Sequence, residues 1–198
     1  MKNASKCYSN IIVEEHLPHY ETLLDHVLST SINISGKNIR LCDINHSRKL
    51  PELEFCFALD KVNKSALFSL LETTELNIET EMEGLMTGYM DLVFEHEGKF
   101  YILDWKSNHL GNTCESYNCE GLESAMQGNN YHLQYLIYTL ALKTWLETKI
   151  PGFDFDTHFG GVIYVFLRGV RKDDTTGIYT TRPDKEKVIK LEKALMRL

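Results

Sequence analysis

The sequence predicts an α/β protein with helices packed against one mixed sheet, and three observations carry that prediction. Residues 84–106 hold two apolar and aromatic runs on either side of Glu97-Gly98, the pattern of a β-hairpin. A long helix is expected from Leu122 or Ser124 to Lys149, and its stretch 131–142 is apolar over much of its circumference, as suits a helix lying on a sheet. Residues 159–167 are nearly all apolar, as suits a central strand covered on both faces.

In chain order, the first ten residues read as a frayed lead-in. Between 13 and 29, Leu17, Tyr20, Leu23, Leu24, Val27 and Leu28 recur at helical spacing. Residues 31–43 read as a loop with a turn at Ser35-Gly36-Lys37-Asn38. The run 51–59 reads as a strand with Glu52 and Glu54 on one face, followed by a short helix at 65–71 and a polar connection at 72–83. After the hairpin, 107–121 is polar and broken by Gly111, a loop. Gly128-Asn129-Asn130 interrupts or dents the long helix, and Pro151-Gly152 ends it. A short strand at 177–181 and an amphipathic helix at 184–196, with Asp184 as its N-cap, complete the chain.

Length and composition set the outer limits. A chain of 198 residues suits one domain with a full core. No apolar run approaches the ~18 residues of a membrane span, and the start leads into no apolar signal region. Five scattered cysteines argue against a disulfide framework and for a reducing cytoplasm, with Cys56 read as a small core residue. Net charge −7 is awkward for a free-standing nucleic-acid binder, whose affinity rests on Lys and Arg. The basic clusters Arg48-Lys49, Arg168 with Arg171-Lys172, and 182–187 read as solvated surface.

The hairpin is where chemistry concentrates. With Glu97-Gly98 as a two-residue loop, His96 faces Lys99, and counting outward puts Asp91 opposite Asp104. Lys106 shares the face of Asp104 because side chains alternate along a strand. Opposed carboxylates roughly 5 Å apart repel unless something lies between them. A divalent cation that prefers oxygen, such as Mg²⁺ with one or two carboxylates and substrate phosphates, converts that repulsion to coordination. The plainer alternative is an exposed hairpin with a cross-strand ion pair. Gln134 and Tyr138, four apart on the following helix, share one face, and a Gln on an apolar helix needs a partner.

Glu52-Leu53-Glu54-Phe55, Gly88-Tyr89-Met90-Asp91, Asp104-Trp105-Lys106, and Gln134 with Tyr138 resemble, in this order, the motif set of RecB-type nucleases. These belong to the PD-(D/E)xK, restriction-endonuclease-like superfamily. Asp104-Trp105-Lys106-Ser107-Asn108-His109-Leu110-Gly111, the run 160–170 and the run 177–183 are similar to stretches of the C-terminal nuclease domain of exodeoxyribonuclease V beta subunits. The resemblance is strong over about 51–183 and loose at the flanks.

It implies a restriction-endonuclease-like core, one RecB-type nuclease domain over 1–198, and hydrolysis of DNA phosphodiester bonds. Asp91 and Asp104 would bind one Mg²⁺, with the Trp105 carbonyl as a further ligand. Lys106 would orient or activate the attacking water, Gln134 and Tyr138 would line the site, and Glu52 matches the acidic strand position, with Glu54 second. It further implies single-stranded DNA as substrate, companion subunits of a RecBCD-type helicase–nuclease complex, a RecA-type recombinase as partner, and no membrane.

Two departures stand out. The family places a metal-binding His upstream of the Glu strand, and His16, His19 and His26 lack its flanking pattern; each reads as a surface His. No G-x-x-x-x-G-K-[ST] loop is present, so the ATP-driven helicase expected of the family lies outside this sequence. The expectation is a C-terminal fragment of a longer helicase–nuclease chain. Two rivals remain: a nuclease fold used to dock a recombinase or subunits, and an iron–sulfur nuclease, for which Cys114 and Cys119 do not supply the cysteine pattern.

Overall fold

A computed structural model describes residues 14–59, 84–172 and 174–195. The expected lead-in, the helix at 65–71 and the connection at 72–83 lie outside the described residues. The elements are α1 (Leu17–Ser29), β1 (Ile32–Ile34), β2 (Lys37–Ile39), β3 (Lys49–Leu59), β4 (Gly84–His96) and β5 (Lys99–Lys106). They continue with α2 (Cys119–Gly128), α3 (Tyr131–Lys149), α4 (Phe155–His158), β6 (Phe159–Phe166), β7 (Ile178–Thr181) and α5 (Lys185–Leu195).

The β4–β5 turn forms as expected. Glu97 and Gly98 take φ of 50° and 78°, the left-handed pair that a two-residue hairpin loop requires, and His96 pairs with Lys99. β5 then runs through the crossover of α2, α3 and α4 to a parallel partner, β6, while every other contact in the five-stranded sheet is antiparallel. The strand order is β3-β4-β5-β6-β7, a mixed central sheet as predicted. β6 is buried at all eight positions because helices or β1–β2 cover both of its faces.

One face packs on α2, α3 and α5 through Val93, Ile102, Val162, Tyr164 and Phe166. The other packs on α1 and β1–β2 through Phe94, Tyr101, Leu103, Ile163 and Val165. The core is therefore two apolar layers with the sheet between them. This is an α/β architecture of the restriction-endonuclease-like kind.

Three local expectations need correcting. Residues 31–43 are not a loop: β1 and β2 form a small hairpin that buries Ile32, Ile34 and Ile39. Three-residue strands are too short for their alternation to stand out from a polar background. The interruption expected at Gly128-Asn129-Asn130 is a full break into two helices, because Asn130 adopts the left-handed conformation at φ 55° between them. α2 also begins earlier than expected, at Cys119, where the Asn118 side chain accepts from the Gly121 N–H as an N-cap. Cys56 is exposed rather than core, since it lies on the outer face of β3, with Phe55 and Phe57 turned inward instead.

The strand β4 also breaks its own alternation. Met90 packs on the α3 side and Leu92 on the opposite side, although residues two apart normally share a face. Val93 then returns to the α3 side. The change of phase falls at Asp91. Across on β3, pairing passes from Pro51–Leu92 to Leu53–Met90, skipping Glu52, whose φ is 52°. A left-handed residue in one strand and a phase change in its neighbour together form a local kink.

Candidate functional site

The kink places Asp91. Had the phase of Met86 and Met90 continued, Asp91 would face away from α3 and from Asp104. Instead its Oδ2 accepts a 2.8 Å hydrogen bond from the Trp105 backbone N–H, just past the last β4–β5 pair, Leu92 with Leu103. The N–H and C=O of one strand residue leave on the same side, so the Trp105 carbonyl is turned toward β4 as well. The Trp105 side chain itself packs into the opposite layer.

Asp104 and Lys106 follow on the α3 face of β5, 3% and 8% exposed. Lys106 Nζ lies 2.8 Å from Asp104 Oδ2 and donates at 2.9 Å to Gln134 Oε1. It also sits 3.9 Å from the centroid of the Tyr131 ring. Gln134 is held from two sides, accepting at 3.0 Å from the Tyr164 hydroxyl and donating at 3.0 Å to that of Tyr138. Tyr138 packs edge-on against Phe55, whose ring lies where a side chain on Gly88 would stand: a Cβ there would come within 2.6 Å. The bare Gly88 backbone thus makes room for Phe55, and Phe55 positions Tyr138.

Electrostatics follow from burial. Loss of water pushes the Asp104 carboxyl above the usual carboxylate range, the Lys106 ammonium works against that, and the nearby Asp91 charge adds to it. Burial, reinforced by the Asp104 charge, pushes the Tyr138 phenol up to about 12, and Tyr164 rises for the same reasons. Both phenols are protonated donors at neutral pH. Neither can serve as a base there.

Five of the six predicted side chains therefore converge: Asp91, Asp104, Lys106, Gln134 and Tyr138. Glu52 is exposed and takes a left-handed backbone between the Pro51–Leu92 and Leu53–Met90 pairs, so it lies across from Asp91 on the neighbouring strand. Glu54 is also exposed and accepts from the Tyr89 hydroxyl at 3.0 Å. α1, which carries His19 and His26, packs through Val27 on the far side of the sheet, and His16 directly precedes it. Tyr131 and Tyr164 are site residues that the sequence reading did not single out. Tyr131 carried a signal, since it lies three residues before Gln134 and so on the same helical face.

Among the described residues, no group of three His, Cys, Asp or Glu side chains gathers as a metal site. Two carboxylates nevertheless suit Mg²⁺, which keeps several waters and takes only one or two from protein. A pair that would otherwise repel, one member desolvated, is chemistry that accepts such an ion.

No family model matches the chain. It is similar to RecB subunits of RecBCD enzymes from several bacteria. With that of Escherichia coli K12 it is 38% identical over 170 residues, covering 80% of this chain and 14% of that subunit. With that of Haemophilus influenzae it is 44% identical over 112 residues, 57% of this chain and 9% of the subunit. With that of Buchnera aphidicola from Schizaphis graminum it is 33% identical over 184 residues, 88% of this chain and 15% of the subunit. The chain thus spans well under a fifth of the length of the curated relatives it matches. Similarity that recurs across these bacteria makes the chain a homologue, over that limited segment, of the RecB subunit family.

Proposed function

We propose that this chain is a Mg²⁺-dependent nuclease domain of the PD-(D/E)xK type that hydrolyses phosphodiester bonds of single-stranded DNA. Its setting would be the cytoplasm, within a RecBCD-type helicase–nuclease complex serving double-strand break repair by recombination. The supporting observation is the convergence of Asp91, Asp104 and Lys106 beneath Gln134 and Tyr138, held by hydrogen bonds of 2.8–3.0 Å. Relationship to RecB subunits supplies the setting; the companion subunits, the recombinase and the unwinding step rest on it alone.

In this reading Asp91 and Asp104 hold the ion, joined by the Trp105 carbonyl. When bound, Mg²⁺ supplies Lewis-acid stabilisation of charge developing on the phosphoryl oxygens. Lys106 holds the attacking water in line, and its ammonium offsets charge on the reacting phosphate. Gln134 fixes Lys106: Tyr164 donates to the amide oxygen, and that oxygen accepts from Nζ. Tyr138 and Phe55 close the apolar wall beside it. Asp91 is kept in place by the Trp105 N–H, which donates to one carboxylate oxygen and so orients the group that would help hold the ion.

The test is cleavage of long single-stranded DNA by the purified chain with Mg²⁺, Mn²⁺ or EDTA, beside Asp104→Ala. Metal-dependent cleavage that disappears in the variant is the expected result. Absence of cleavage under every condition would turn the reading toward a docking role in the same complex.

A further inference from the structure

Beyond the reacting groups, one exposed cation stands out just past the carboxyl end of β5. Of the arginines among the described residues, Arg40, Arg48 and Arg182 each pair with a carboxylate: Asp43, Glu95 and Asp156. Arg171 turns its guanidinium onto the carbonyls of Arg168 and Val170. Arg168 differs from all of these. Its Nε donates at 2.9 Å to the Ser107 carbonyl, and among the described residues its two terminal nitrogens have no protein partner.

Its place follows from the parallel β5–β6 pair. Lys106 is opposite Phe166, and the Leu167 N–H continues the ladder to the Lys106 carbonyl at 2.9 Å. The guanidinium is pinned to the next carbonyl, one residue beyond Lys106, or about 3.3 Å of strand rise. Crevices outside the carboxyl ends of parallel strands are where α/β sheets take ligands.

The segment carrying Arg168 is tied down on every side. The Gly169 N–H bonds the Phe166 carbonyl, and the Thr176 hydroxyl bonds the Gly169 carbonyl. The buried Thr30 hydroxyl at the end of α1 donates to the Arg171 carbonyl, and Lys172 pairs with Asp25 on α1. A guanidinium held by Nε on a fixed loop loses little freedom when its terminal nitrogens take a bidentate partner. In a chain of net charge −7, an exposed arginine with no carboxylate partner among the described residues, anchored one residue past Lys106, is placed for an anion.

We infer that Arg168 is a phosphate clamp. Its terminal nitrogens hold the backbone phosphate next to the scissile one, fixing the register of a single strand across Asp104 and Lys106. The inference rests on the nuclease reading for its substrate, and its test uses binding without cleavage so that the two can fail separately.

The measurement is retention of a fluorescent oligothymidylate in EDTA, across a salt series, by the full chain, Arg168→Gln, Arg168→Lys and Lys172→Gln. Arg168→Gln should weaken binding about 10-fold and flatten the plot of log affinity against log salt by ~0.7, the contribution of one phosphate contact on a single strand. Arg168→Lys should keep the slope and lose part of the affinity, because charge remains and the fork does not. Lys172→Gln, which removes a charge already paired with Asp25 in the same loop, should leave the slope unchanged. An unchanged slope in Arg168→Gln, an equal change in Lys172→Gln, or no retention by the unaltered chain would each overturn the clamp. Thermal unfolding of each variant separates a loosened loop, which lowers Tm without touching the slope, from a lost contact.

Discussion

The two faces of the central sheet are built from the same strands and do opposite things. On the α1 side, Phe94, Tyr101, Leu103, Ile163 and Val165 meet Ile32, Ile34, Ile39 and Leu41 in a layer with no buried charge among the described residues. On the α3 side, the alternating positions of β5 and β6 carry Asp104, Lys106 and Tyr164, hydrogen-bonded into α3. Folding alone has no use for the second arrangement. A desolvated ion pair is often no better for stability than apolar groups of the same volume. Yet among the described residues no buried side-chain polar atom is left without a partner. The polar face is satisfied within the fold, so its retention in place of an apolar layer is what the proposed function has to explain.

Substitutions can break that contrast in graded ways. Lys106→Met keeps the stem and removes the ammonium; cleavage should fall by about 10²–10⁴-fold per folded molecule while circular dichroism stays native. Leu103→Ala, three residues away on the same strand but on the other face, should do the reverse: a loss of about 3 kcal/mol in urea unfolding with turnover per folded molecule intact. If Leu103→Ala instead abolished turnover while leaving stability untouched, the division of labour between the faces would be wrong.

The pH dependence sharpens the same point. The folded-state pKa of Asp104 is raised by burial. The stability this carboxyl contributes is therefore fully present below the ordinary value of 3.8 and is lost as pH rises through the raised one. A divalent ion needs the ionised form and relieves that cost. The rise in Tm on adding Mg²⁺ should be present at pH 7.5, shrink as pH falls toward 3.8, and be lost at pH 7.5 in Asp104→Asn; an undiminished rise in that variant would mean that Asp104 is not a ligand.

Smaller effects follow further out. Gly88→Ala drives a methyl into Phe55, so a destabilisation of about 1–3 kcal/mol and a several-fold drop in cleavage are expected, both measurable on one preparation. Tyr89→Phe removes only the exposed bond to Glu54 and should leave Tm within about 1 °C.

The sequence was most legible where a turn fixed the count. Counting from Glu97-Gly98 set the register because a two-residue loop fixes it, and that register holds to the last pair, Leu92 with Leu103, next to Asp91 and Asp104. Counting alternation from Gly84 would have put Asp91 on the wrong face, since the kink lies between. Glu52 illustrates the limit. Strand alternation paired it with Glu54, and a left-handed backbone at a non-glycine residue has no sequence signature there. Tyr131 and Tyr164 were hidden for another reason: buried tyrosines look like core until a partner for the hydroxyl or ring is visible. β1 and β2 were missed because three residues do not establish a period.

The left-handed Asn130 between α2 and α3 has one more consequence. Along an unbroken helix, each inserted or deleted residue rotates everything beyond it by about 100°. Such a change in α2 would carry Gln134 and Tyr138 off Lys106 if the two helices were continuous. The break confines the rotation to the segment before it, while α3 is indexed by its own contacts: Tyr131 on Asn108, and Gln134 between Lys106 and Tyr164. A change of length within α2 is in that sense absorbed at Asn130 without rotating the residues that follow. The same place offers an engineer a point at which to graft a longer arm.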